Sequence, residues 1–170
     1  MLSFGIKYNE KYRYAQDYRM WISCSDYAEC AIIPESLLNY RVHSKAISSS
    51  KKEMQSDCVY KIIQEQLDKL NLTLYEEIKP LHEQLLTARK PFDLRIKNWM
   101  QEIIDANRIY HIYDQKKLKD LLYKKWAEIC YFGFATQKGL KAKISVLVSL
   151  PISQYIELFR IRKARSKAKE

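Results

Sequence analysis

Ser50-Lys51-Lys52-Glu53-Met54-Gln55-Ser56-Asp57-Cys58-Val59-Tyr60-Lys61-Ile62-Ile63-Gln64-Glu65-Gln66-Leu67 decides the fold class. Ser50 and Glu53 have the spacing of a capping box, in which each side chain satisfies an orphan amide of a helix's first turn. Behind them Met54, Cys58, Ile62, Ile63, Leu67 and Leu70 recur every three or four residues, the apolar face of a helix. Composition points the same way. The 170 residues include 3 glycines and 4 prolines, too few for the turns of an all-β sandwich or for a glycine-cradled nucleotide site. With 47% apolar and 12% aromatic residues the chain can build one core, which excludes wholesale disorder.

The helical pattern continues to the C-terminus. Thr73 with Glu76 is a second capping box, and Pro80 either kinks the helix that follows or marks its true beginning, because proline cannot donate in a helix interior. Pro91 suits the first turn of a third helix with the stripe Leu94, Ile96, Trp99, Met100, Ile103 and Ile104. Asp114 caps a fourth, whose inward face is Leu118, Leu121, Leu122, Trp126, Ile129 and Cys130 before Gly133 and Gly139 loosen the chain. A last helix starts at Pro151. Trp99 and Trp126 lie on apolar stripes and read as core, and a lone histidine such as His82 or His111 cannot hold a metal by itself.

Residues 1–50 are different. Tyr14, Tyr18, Trp21 and Ile22 fall at helical spacing and predict a short helix from Tyr14 to Asp26. Ala31 to Ile33 and Leu37 to Val42 read as two extended segments separated by the turn signal Pro34-Glu35-Ser36. The predicted fold is therefore mainly α: a short α+β N-terminal piece over residues 1–50, then a helical extension over residues 51–170 that ends in a basic tail.

Thirty basic against 20 acidic residues give a net charge of +10, which draws the chain to polyanions. Nucleic acid is the weakest of these partners, because the 13 tyrosines are spread along the whole chain rather than interleaved with cations on one face. The charge is concentrated at the end, where residues 138–170 carry nine basic and two acidic side chains. With the apolar residues from Ile144 to Ile161 they could lie on an anionic membrane surface or pack as an ordinary helix with a solvated end. The stretch Ile144 to Phe159 is too interrupted by polar residues to span a bilayer. Met1 to Asn9 lacks the pattern of a secretory signal, which predicts a cytoplasmic chain. Cys24, Cys30, Cys58 and Cys130 show no paired metal spacing and read as free thiols.

Chemistry concentrates in the first fifty residues. Tyr12-Arg13-Tyr14-Ala15-Gln16-Asp17-Tyr18-Arg19-Met20-Trp21 places an acid at a helix entrance, where aspartate commonly serves as a plain cap. Ile33-Pro34-Glu35-Ser36-Leu37-Leu38-Asn39-Tyr40-Arg41-Val42-His43 then leads into a serine-rich loop; by themselves Arg41 and His43 read as an exposed strand end.

Taken together, the aromatic lead, Ala-Gln-Asp-Tyr with Trp21 after it, and Ile-Pro-Glu-Ser-Leu-Leu-x-Tyr-Arg-x-His resemble the end of the catalytic domain in family 2 glycosyltransferases, which have the A-type fold. The resemblance spans roughly residues 8–48. It implies that Asp17 is the general base for the acceptor hydroxyl, that Trp21, Tyr40 and Arg41 bind substrate, and that His43 helps to hold a divalent metal, Mg²⁺ or Mn²⁺. The implied partners are a nucleotide-sugar donor and a cell-surface polysaccharide or lipid-linked glycan acceptor. Two departures stand out. Gln16 replaces the usual glutamate beside the base, and no Asp-x-Asp occurs in the chain, so the expectation is the C-terminal portion of such an enzyme without its nucleotide-binding half. The competing expectation is a non-catalytic basic helical module that docks on a membrane surface or a partner protein.

Overall fold

A computed structural model describes residues 5–39, 51–88 and 92–136, together with residues 144, 146 and 148. A 3-10 turn at Glu10–Tyr12 is followed by α1 (Gln16–Ser25), α2 (Lys52–Asp68), α3 (Lys79–Thr87), α4 (Arg95–Tyr110) and α5 (Gln115–Thr136). The chain falls into two compact units, Met1–Gln66 and Leu67–Glu170.

The chain is mainly helical, as its periodicity predicts, but the short α+β piece is not formed: among the described residues there is no strand. Ala31–Ile33 and Leu37–Asn39 are irregular and exposed, with Ile32 94% open to solvent. An extended segment becomes a strand only when a neighbour pairs with its amides and carbonyls, and the described residues supply no such neighbour. The rest of the second segment, residues 40–42, lies outside the described residues, as do Ser50 of the first capping box, Pro91, Gly139 and the helix expected from Pro151.

In the first unit Tyr12, Ala15, Cys58 and Ile62 form a small buried cluster, with Tyr14, Ile22 and Val59 packed against it. Residues of α2 thus cover the turn that precedes α1. Met54, at the open end of the expected α2 stripe, stays exposed.

In the second unit α3, α4 and α5 each pack on the other two. Pro80 resolves as a helix start: α3 opens at Lys79 with the proline in its first turn, several residues beyond the Thr73 box. In α4 the stripe Ile96, Trp99, Met100, Ile103 and Ile104 is buried, whereas Leu94 precedes the helix and is exposed. Asp93 takes over the helix entrance. Its Oδ1 accepts from the Arg95 N–H at 2.9 Å, and the Arg95 side chain grips the same carboxylate, with Nη2 2.7 Å from Oδ2. That hydrogen bond holds the Asp93 carboxyl below the usual carboxylate range.

Asp114 caps α5 as expected, accepting from the Lys117 N–H at 2.7 Å. Leu122, Trp126, Ile129 and Cys130 face inward, but Leu121 is exposed, because its position falls outside the buried arc. Gly133 does not loosen the chain. It lies buried inside α5, where an added Cβ would stand 2.7 Å from Cβ of Phe92, whose ring packs on Trp126 with centroids 5.6 Å apart. The glycine is a seat for Phe92.

Candidate functional site

The expected site residues that the structure describes lie on α1. Its cap position is Ala15, with no side-chain cap, and Asp17 sits in the first turn, a favourable place for an acid against the helix dipole. Asp17 is exposed, and its Oδ1 accepts from the Tyr18 N–H at 2.8 Å. Trp21 follows four residues later, which puts it one turn along on the same side of the helix, and it is 56% exposed. Tyr18 between them is partly covered, and burial pushes its phenol above the ordinary value.

Of the four residues at helical spacing, Tyr14 and Ile22 pack on the small core, whereas Tyr18 and Trp21 stay exposed. Ala15 and Ile22 turn toward the small core, and Trp21 turns away from it. Asp17 and Trp21 share an exposed surface of α1. Tyr40, Arg41 and His43 lie outside the described residues.

Behind this face stands a polar cluster that the sequence reading does not contain. Tyr12, buried at the ring, donates its hydroxyl to Glu65 Oε1. Arg19 of α1 brings Nε to 3.2 Å from Glu65 Oε2, an ionic contact outside hydrogen-bond geometry, and Lys11 Nζ lies 3.8 Å from the other carboxylate oxygen. Arg19 Nη1 also donates to Ser23 Oγ at 2.6 Å, and the Arg19 and Lys11 cations stand 5.9 and 5.3 Å from the Tyr12 ring centroid. One carboxylate from α2 thus gathers a phenol and two cations, fixing the rotation of α1 and so the direction in which Asp17 and Trp21 face. The signal in the sequence was slight: Glu65 follows Cys58 and Ile62 at helical spacing, a carboxylate in line with an apolar stripe.

His82, expected to be an ordinary core or surface residue, is a core acceptor. Its Nδ1 accepts the Trp99 Nε1–H at 3.1 Å, and burial lowers its pKa to about 4. The four cysteines are free, with Cys24, Cys58 and Cys130 buried and Cys30 exposed. Among the described residues no three His, Cys, Asp or Glu side chains stand close enough to share a metal ion, so Asp17 has no described companions for one. No helix among the described residues is long and apolar enough to cross a membrane.

No family model matches the chain, and no solved structure matches it. Among curated proteins it is similar to an uncharacterized glycosyltransferase of Haemophilus influenzae, with 28% identity over 123 residues. That match covers 72% of this chain, and the chain spans about a third (32%) of the length of that relative. The chain is thus a distant homologue of a protein named as a glycosyltransferase.

Proposed function

We propose that this chain is the acceptor-side part of a family 2 glycosyltransferase, with residues 1–50 forming the end of the catalytic domain and residues 51–170 a helical extension. The observation that carries this reading is the similarity to the Haemophilus influenzae glycosyltransferase, which extends over most of this chain and a third of the relative. The exposed face bearing Asp17 and Trp21 supports it. So do Ile32, Ile33, Leu37 and Leu38, an irregular run of exposed aliphatic side chains suited to burial in a larger domain.

In the proposed reaction the acceptor hydroxyl oxygen attacks the anomeric carbon of the donor sugar as the bond to the nucleoside diphosphate breaks. Asp17 takes the hydroxyl proton, and the indole of Trp21 stacks against the acceptor sugar. Tyr40 and Arg41 would bind the donor, the guanidinium meeting the charge that develops on the departing diphosphate. A divalent metal, Mg²⁺ or Mn²⁺, would lend further charge to that leaving group when bound, with His43 as this chain's contribution to its coordination. The acceptor class is a cell-surface polysaccharide or lipid-linked glycan at the cytoplasmic face of a membrane, where the basic tail would meet anionic headgroups.

The test is a transplant. The whole chain replaces the matching stretch of the Haemophilus influenzae relative, and release of nucleoside diphosphate is measured on a donor that the relative turns over. Acceptor-dependent release by the chimera is expected. A folded chimera that binds the donor and never transfers it would overturn the reading.

A further inference from the structure

The connection between α4 and α5 is an exposed apolar knuckle on a rigid support. Ile109 is 71% exposed, Tyr110 44%, Ile112 42% and Tyr113 38%, and His111 is the only other residue between 109 and 113. The knuckle is held from beneath by Asn107, which is fully buried. Its Nδ2 donates to the Tyr113 carbonyl at 2.9 Å, and its Oδ1 accepts from the Tyr113 N–H at 2.8 Å. His111 ends α4 in the left-handed region at φ 52°, its N–H donating to the Asn107 carbonyl at 2.9 Å, and Gln115 Nε2 donates to the Ile104 carbonyl at 3.1 Å. These bonds fix the backbone so that its apolar side chains are presented to solvent rather than folded under.

The flank of the knuckle is cationic. Lys116 and Lys117 are exposed in the first turn of α5 and Lys119 follows half-buried, with no acid in that first turn. Cations at a helix N-terminus run against the helix dipole, so these lysines do not serve the helix, whereas an anionic partner would use them. Of the acids near these lysines, Asp114 caps α5 and Asp105 pairs with Arg108 at 3.1 Å, while Asp120, exposed one turn along from Lys116, offsets part of the charge and leaves the cations in excess.

We propose that this knuckle is a membrane contact: Ile109 and Ile112 enter the acyl boundary, Tyr110 and Tyr113 sit at headgroup level, and the α5 lysines meet anionic phospholipid. An apolar protein groove would take the isoleucines, but it would give no partner to the cations beside them. The contact depends neither on sugar transfer nor on residues 151–170.

The test is cosedimentation of the full chain with phosphatidylcholine vesicles, with and without phosphatidylglycerol, over a range of salt. Binding to the phosphatidylglycerol vesicles that weakens with salt is expected. I109D/I112D should reduce it by about tenfold or more, and K116Q/K117Q/K119Q should reduce it and flatten its salt dependence. Ile109, Lys116 and Lys117 are exposed while Ile112 and Lys119 are partly covered, so a melting curve checks that each variant is folded; the lysine variant decides the matter if the aspartates disturb the helix ends. Absence of binding by the parent chain, equal binding by these variants, or binding abolished only by removing residues 151–170 would overturn the proposal. Self-association of the parent chain that I109D/I112D abolishes, without vesicle binding, would reassign the knuckle to a protein partner and overturn it as well.

Discussion

Trp99 donates its indole N–H to Nδ1 of His82 across 3.1 Å, inside the apolar core of the second unit. The bond requires a neutral imidazole with its proton on Nε2, because a protonated ring would turn a donor toward a donor.

A pH dependence follows from this pair. The folded pKa of His82 is about 4 against an ordinary value of 6.5, so the unfolded state binds the proton first as pH falls. Stability is fully present above pH 6.5, declines from there toward pH 4, and the total loss from this group is on the order of 3 kcal/mol. Urea denaturation at stepped pH measures it. His82→Gln, which keeps an acceptor for the indole and cannot titrate, should remove the decline in this window. A parent chain equally stable at both ends of the window would contradict the buried neutral histidine.

Gly133→Ala should destabilise the second unit although alanine is the better helix former. The gain in propensity is about 1 kcal/mol, while forcing a Cβ to within 2.7 Å of Phe92 costs roughly 1–3 kcal/mol. A melting temperature several degrees lower is the expected result; an increase would show that Phe92 moves aside freely.

Asn107→Ala removes both bonds to the Tyr113 backbone and leaves buried polar groups without partners, a loss of about 1–3 kcal/mol by chemical denaturation. Hydrogen exchange should report the damage locally, with faster exchange at Tyr113 and the first turn of α5. Unchanged exchange there would mean that the connection does not depend on this side chain.

Tyr12→Phe keeps the buried ring and deletes the hydroxyl that donates to Glu65, with an expected loss of about 1 kcal/mol. Glu65→Gln should cost a similar amount by weakening the contacts to Arg19 and Lys11, and the double variant should lose less than the sum. Full additivity would show that the two residues do not act together.

Several local signals in the sequence were read well, although the Thr73–Glu76 box opens no helix, since α3 begins at Lys79. Asp114 caps α5, Pro80 stands in the first turn of α3, and the stripes of α4 and α5 are buried apart from the exposed Leu94 and Leu121 and the half-buried Leu118. The other failures required a neighbour. Ala31–Ile33 has strand-forming residues but no pairing partner among the described residues, and Gly133 reads as a breaker until Phe92 is seen against it. The cluster around Glu65 joins residues 53 positions apart, a separation that no local pattern reveals. For the proposed site, the motif names Asp17 and Trp21 only by resemblance, and their shared outward direction, set by Arg19 and Ile22 on the opposite side of α1, carries no local signal.

The most direct measurement is turnover by the chimera described above carrying Asp17→Asn, compared with the unaltered chimera on the same donor and acceptor. Asparagine fits the exposed first turn of α1 but cannot take a proton, so the catalytic rate should fall by roughly 10²- to 10⁴-fold while donor binding is retained. Turnover within about threefold of the unaltered chimera would leave Asp17 as a first-turn helix acid and contradict the assignment of this face to glycosyl transfer.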